Sequence, residues 1–220
     1  MDTYKITLTG TQPLLMHWDN LDFAEKLKKW QMDPANKAKS IAGDDRSPAW
    51  AWIGNMYQEG GRVILPSDNL MTVLREGGAK VSTGKKGATF KRQTQSGLVV
   101  NESAWPLLVG GKDVDARQFN ALVPGEMDFE KHQEAAVAAG FMLFVKRARI
   151  GQAKHVRVRP RFEEWSAVGT ISILDDTIKR ETLKMILDHA GMYCGVGDWR
   201  PSSPKSPGPF GKFTATVTKV

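Results

Sequence analysis

The chain has one cysteine, Cys194, in 220 residues. No internal disulfide can form, which points to a reducing compartment. Cys194 lies among apolar residues and glycines, a context that suits a small core side chain. Long apolar runs are also missing. The longest, residues 135–145, is too short to span a bilayer and contains Gly140. The N-terminus lacks a basic stretch followed by an apolar one, so no signal peptide is expected. The expectation is a cytoplasmic protein with no membrane partner. Metal-ligand spacing is absent as well: His17, His132, His155 and His189 are scattered, with no two on one helix face. There is no nucleophile-elbow pattern. Gly84-Lys85-Lys86 follows a helical pattern rather than a strand and has no Ser or Thr behind the lysines, unlike a phosphate-binding loop. Neither a metal nor a cofactor is expected, and a non-enzymatic role is favoured.

What is present is positive charge, and it is clustered. The net charge is +7, with 31 Lys and Arg against 24 Asp and Glu. Residues 146–161 hold seven Lys/Arg, one His and no acid. Arg147 and Arg149 alternate with Ala148 and Ile150, and Arg157 and Arg159 with Val156 and Val158; Lys154 and His155 lie between the two runs. Alternation at period two predicts two strands, and Gly151-Gln152-Ala153 reads as the turn of a hairpin. With an odd number of residues in the connection, both arginine rows share one face. Like charges directly across a strand pair are destabilising, and a polyanion laid over them relieves the repulsion. The simpler reading is a solvated hairpin whose arginines keep an edge soluble. A second acid-free stretch, residues 77–97, carries Lys80, Lys85, Lys86, Lys91 and Arg92 with five glycines, and reads as a flexible basic loop.

The pattern elsewhere is that of an α+β domain. Residues 4–9 alternate as a half-buried first strand, and Asn20 can cap a helix with Phe23, Leu27 and Trp30 on one face. A short helix is expected over residues 49–57. Leu70, Val73, Leu74 and Gly77 fall at i, i+3, i+4 and i+7 behind a Ser67 cap, with Arg75 off the stripe. Residues 165–174 alternate. Asp175-Asp176-Thr177 then reads as the cap of a helix with Leu183, Ile186, Leu187 and Ala190 inward and Gly191 as its left-handed end. Gly195-Val196-Gly197-Asp198-Trp199-Arg200 is glycine-spaced after that helix. Glycines let a backbone approach an anion, Arg200 can add a charged fork, and Trp199 a stacking face. A tight, buried crossover explains the same residues.

Ile64-Leu65-Pro66-Ser67-Asp68-Asn69-Leu70 with Leu74-Arg75 resembles the strand–Pro-Ser–helix signature of RAMP proteins, the superfamily that includes Cas7-type backbone subunits of CRISPR complexes. Gly195-Val196-Gly197-Asp198-Trp199-Arg200-Pro201 with Phe210-Gly211-Lys212-Phe213 looks like that superfamily's terminal glycine-rich loop. Thr9-Gly10-Thr11-Gln12-Pro13-Leu14-Leu15-Met16-His17 is similar to its first strand and exit. The whole is similar to small Cas7-like proteins of phages and prophages. The resemblance implies one domain over residues 1–220: a ferredoxin-like (RRM-like) antiparallel core, a basic flexible insertion over about 77–129, and a β-hairpin thumb over about 141–162. It also implies single-stranded RNA or DNA as partner, with assembly along the strand as a homo-oligomer or within a nucleoprotein complex in a bacterial host cytoplasm. The expected binding residues are Arg75, Lys85, Lys86, Lys91, Arg92, Arg147, Arg149, Lys154, His155, Arg157, Arg159, Trp199, Arg200 and Lys212. Two other readings are a metal-independent RAMP-type ribonuclease using His17 or His155, and a Cas7-mimicking inhibitor that binds protein.

Overall fold

A computed structural model describes residues 2–150 and 153–220, with side chains described outside 148–154. The elements are, in order, β1 (Asp2–Gly10), β2 (Leu14–Leu15), α1 (Leu21–Met32), a 3₁₀ turn (Ala51–Asn55), β3 (Gln58–Glu59), β4 (Arg62–Pro66), α2 (Ser67–Gly78), α3 (Lys91–Gly97), β5 (Leu98–Val100), β6 (Ala104–Val109), β7 (Lys112–Asp113), α4 (Arg117–Asn120), α5 (Phe129–Ala138), β8 (Met142–Ile150), β9 (Ala153–Phe162), β10 (Ser166–Ile173), α6 (Arg180–His189), a π turn (Ala190–Cys194) and β11 (Phe213–Lys219). The class is mixed α+β with antiparallel sheets, as expected. The chain divides into two compact units: Met1–Leu15, Ile64–Asp113 and Glu163–Val220 form the first, Met16–Val63 and Val114–Phe162 the second. Residues 79–90 of the stretch read as a loop are turns and bends, whereas 91–97 are α3, and β5, β6, β7 and α4 follow within the expected insertion over about 77–129.

The first unit is a sheet in the order β11-β1-β10-β6-β4, with β5 also paired to β10 and β7 to β6. Alternation decides which face is buried. Tyr4, Ile6 and Leu8 of β1 point inward with Ala167 and Ile171 of β10 and Phe213, Ala215 and Val217 of β11. Each large apolar side chain so buried contributes roughly 1.5–3 kcal/mol. The stripes Leu70/Val73/Leu74 of α2 and Leu183/Ile186/Leu187 of α6 are buried as their spacing predicts. Gly77 belongs to the α2 stripe for a steric reason: a Cβ there would press on the Ile186 carbonyl and Ala190.

Several helix ends differ from expectation. Pro66, not Ser67, is the N-cap of α2, and the Ser67 N–H donates to the Ser103 carbonyl. The N-cap of α6 is Lys179, while Asp175 closes a local turn by accepting from the Thr177 N–H and hydroxyl. Gly191 does not end α6. The chain continues through the π turn to Gly195 (φ +70°), whose N–H donates to the Ala190 carbonyl. Gly191 is needed instead for close approach, since a Cβ would strike the Phe213 carbonyl oxygen of β11.

One acid braces this sheet. Glu102 accepts from the Thr170 N–H (2.9 Å), the Thr170 hydroxyl (2.8 Å) and the Trp105 indole N–H (2.9 Å). Burial alone would raise its carboxyl, but the bonds from Thr170 and Trp105 outweigh burial and hold it below the usual carboxylate range. A depressed carboxylate adds stability above its unfolded pKa, and that stability is lost as pH falls through the folded one. Glu102→Gln should therefore lower unfolding stability by about 1–3 kcal/mol at neutral pH, the worth of charge-assisted bonds. The difference from the parent should shrink below about pH 4. Denaturant titrations at pH 7 and pH 3 measure both values, and an equal gap at the two pH values would contradict this role.

The second unit is built on aromatic rings. Trp52, Phe119, Phe141 and Phe162 are buried, with ring centroids 5.5 Å apart for Trp52–Phe119, 5.3 Å for Phe119–Phe141 and 4.7 Å for Phe141–Phe162. Such pairs are worth ~0.5–1.5 kcal/mol each beyond area burial. His132 is buried and satisfied at both nitrogens: Nδ1 accepts from the Trp52 indole (3.2 Å), and Nε2 lies 3.1 Å from the Glu126 carbonyl, to which it donates as the neutral tautomer. Asn20 caps α1 by accepting from the Phe23 N–H, as its sequence position indicates. The expected helix over 49–57 is shorter, a 3₁₀ turn, and Tyr57 is half-buried with its hydroxyl donating to the His17 carbonyl.

Candidate nucleic-acid interface

Strands β8 and β9 pair from Met142↔Arg161 to Ile150↔Ala153. Ala153, read as part of a turn, is the first residue of β9, and residues 151 and 152 lie outside the described residues. The connection between Ile150 and Ala153 is thus even in number, and that parity overturns the expectation of one shared arginine face. Arg147 lies opposite Val156, whereas Arg157 lies opposite Lys146 and Arg159 opposite Phe144. Directly opposed residues share a face. The arginine rows therefore belong to opposite faces.

The face that carries Phe141, Leu143, Val158 and Phe162 packs into the aromatic core. The other presents Lys146, His155, Arg157, Arg159 and Arg161 together with Phe144. The Arg161 guanidinium sits over the Phe144 ring, 5.6 Å from its centroid. Lys146 and Arg157 oppose each other directly, and Asp45 offsets that repulsion. It accepts from Arg157 Nη1 (3.0 Å) and from the Val158 N–H (3.2 Å). Backbone bonds hold Asp45 there: the Val156 N–H donates to the Gly43 carbonyl (2.7 Å) and the Asp45 N–H to the Val156 carbonyl (2.9 Å). Arg147 is exposed on the opposite face. The side chains of Arg149 and Lys154 lie outside the described residues.

His155 Nδ1 is buried with no hydrogen-bond partner among the described residues, and the ring packs against Gly43. His17 is exposed.

In the first unit the expected Arg75 and Lys91 come together with Lys80, apart from Lys85 and Lys86. Arg75, Lys80 and Lys91 line a cleft of about 540 Å³ with Glu76, Gln95, Cys194 and Ser202. Lys91 and Arg92 are exposed on α3, not in a loop. α3 is seated on α2 where Thr94 packs against Gly78, a position at which a Cβ would collide with the Thr94 hydroxyl, and that hydroxyl donates to the Phe90 carbonyl. Lys85 and Lys86 sit exposed in a turn closed by Thr83 N–H to Ala88 O (3.1 Å) and Ala88 N–H to Lys85 O (3.0 Å).

The glycine-spaced segment is mainly architectural. The Arg200 guanidinium donates to Glu76 (3.3 Å), the Ser202 hydroxyl (2.9 Å) and the Gly197 carbonyl (3.3 Å), tying the crossover to α2. Trp199, at φ +48°, packs on Phe210 with centroids 5.5 Å apart. Lys212 is half-buried, and its carbonyl accepts from the Thr11 and Gln12 N–H groups. Burial, reinforced by the charge of Glu76, pushes the Cys194 thiol up to about 11, which suits a core residue rather than a nucleophile.

No family model and no curated protein sequence matches the chain. Among the described residues no helix is long and apolar enough to cross a membrane, and no group of three or more His, Cys, Asp or Glu is placed to hold a metal ion.

Lys80, Lys146, Phe144 and Arg161 belong to these surfaces although the sequence alone does not place them among the binding residues. Lys146 and Arg161 belong to the same acid-free run, but it is the register of the two strands that joins them to Arg157 and Arg159 on one face. Asp45 had no sequence signal, because it comes from a polar segment 112 positions away.

Proposed function

We propose that this protein binds single-stranded nucleic acid, RNA or DNA, with little sequence preference, as a RAMP-type, Cas7-like protein that assembles along the strand. The observation that carries the reading is the hairpin face of Lys146, Arg157, Arg159 and Arg161 around Phe144. The reverse face of the strands is anchored in the aromatic core through Leu143, Val158 and Phe162, which fixes the strand segments that carry these cations. Regularly spaced cations track a phosphate backbone, and a guanidinium held over an aromatic ring is kept in place to do so. Neither element reads base edges, which is why the binding tolerates sequence. The cleft of Arg75, Lys80 and Lys91 is a second cationic surface, in the other unit. Gel shifts with single- and double-stranded RNA and DNA at two salt concentrations test the reading. Single strands should be retained at low salt and released at high salt, and a protein that ignores all four ligands would refute it.

A further inference from the structure

Strand β8 has one bare edge, and its neighbour β9 shows which way the backbone groups point. The Val156 N–H donates to the Gly43 carbonyl (2.7 Å), and the Val156 carbonyl accepts from the Asp45 N–H (2.9 Å). The Val158 N–H donates to the Asp45 carboxylate (3.2 Å), and its carbonyl accepts from the Asn55 amide (2.8 Å). The Pro160 carbonyl accepts from the Met16 N–H (3.1 Å). These three residues turn their backbone groups away from β8. In an antiparallel ladder the residues opposite them do the same on their own strand. Those residues are Arg147, Val145 and Leu143. Their N–H and C=O groups point to the side where β8 is the last strand, and none has a hydrogen-bond partner among the described residues. The other long edge is guarded: on β11 the Val217 carbonyl accepts from Arg180 (3.0 Å), and Gly191 lies against the Phe213 carbonyl. β8 has no proline, its pairing runs without a bulge, and Met142 and Val145 on it are each 40 % exposed. An edge of this kind accepts another strand.

The charges on β8 suit a second copy of the same strand in one antiparallel register. Pairing about Lys146, the middle of the strand, sets Lys146 against itself, and like charges directly opposed are destabilising. One residue along, about Val145, the valine meets its own copy, Leu143 meets Arg147, and Phe144 meets Lys146. Neither Lys146 nor Arg147 then faces another cation. The unpaired groups of Leu143, Val145 and Arg147 fall on those of Arg147, Val145 and Leu143. A further step toward the start of the strand only shortens the overlap. We infer that β8 pairs with β8 of a second copy about a twofold axis through Val145. That axis is normal to the sheet, so the cationic hairpin faces of both copies lie on the same side of it. The inference does not rest on the nucleic-acid reading, because the contact is made by backbone groups.

The test is sedimentation velocity, free of nucleic acid, on the parent, Val145→Lys, Val145→Glu and an equimolar mixture of the two variants. Val145 is exposed, so both variants should keep the circular dichroism of the parent. The parent should be a dimer. Each variant alone should associate at least about tenfold more weakly, because like charges meet on the axis. The mixture should recover the dimer, because opposite charges then meet there. A parent that stays monomeric, with a Kd weaker than ~100 μM, would overturn the inference and leave the edge to a strand of another protein. Variants that dimerise as the parent does, or a mixture that stays monomeric, would overturn it too. Loss of oligonucleotide binding in hairpin variants that remain dimeric would concern the nucleic-acid reading alone.

Discussion

Replacing Lys146, Arg159 and Arg161 together with Gln should weaken binding to a single-stranded oligonucleotide on the order of 100-fold at low salt, about 1 kcal/mol for each of three phosphate contacts. Glutamine keeps much of the aliphatic stem, so packing along the strand survives while the charge is removed. Arg157 is left in place because its removal would strand the Asp45 carboxylate, which it ion-pairs at 3.0 Å. Arg161 also gives up its position over the Phe144 ring, so part of the effect is in how that cation is held. The slope of log K against log salt should fall in magnitude by roughly 2, at about 0.7 per phosphate contact for three contacts. Arg147→Gln, on the opposite face, should have a much smaller effect. Circular dichroism and a thermal melt verify that the triple variant is folded. A folded triple variant that binds as tightly as the parent would remove the hairpin from the binding surface.

Gly211→Ala should destabilise the first unit by at least ~3 kcal/mol, because strain and collision act together at one residue. Gly211 has φ +73°, and a Cβ would lie against the Val196 carbonyl oxygen. Neither neighbour can yield easily. The Gly211 N–H donates to the Pro13 carbonyl (2.7 Å), and its own carbonyl accepts from the Val196 N–H (2.9 Å). A loss of that size lowers the melting temperature by roughly 6–12 °C in a chain of this length. Gly110→Ala is the control. It also has a positive φ, +57°, but nothing lies within 4 Å of the added Cβ. It should cost only the left-handed penalty, about 1 kcal/mol. Equal losses in the two variants would mean that the glycine-spaced segment is not held as tightly as these bonds indicate.

The two variants probe different parts of the sequence, and those parts were legible to different degrees. The stripes of α2 and α6 and the alternation of β1 are visible in the sequence because a buried face imposes its own period on local residues. The basic hairpin was visible for the same reason. Its register was not: side chains alternate at period two, so one residue more or less in the connection moves a whole row to the other face. The α3 helix was hidden because residues 91–97 are polar and end in Gly97. It owes its place to Thr94 seated on Gly78, a tertiary contact with no local period. Arg200 shows the same limit from the other side. Its sequence context suggested a ligand contact, but Glu76, 124 positions away, engages the guanidinium. Charge clusters show in a sequence, whereas the acid that neutralises one of them usually comes from elsewhere in the chain.

The most direct test of the central claim is the salt dependence of binding by the unmodified protein, read by anisotropy with fluorescent single-stranded RNA and DNA of one length. If the hairpin face follows a phosphate backbone, both strands bind, and log K falls linearly with log salt with a slope of about −2 or steeper, equivalent to three or more phosphate contacts. A flat salt response, or no binding at low salt, would contradict it.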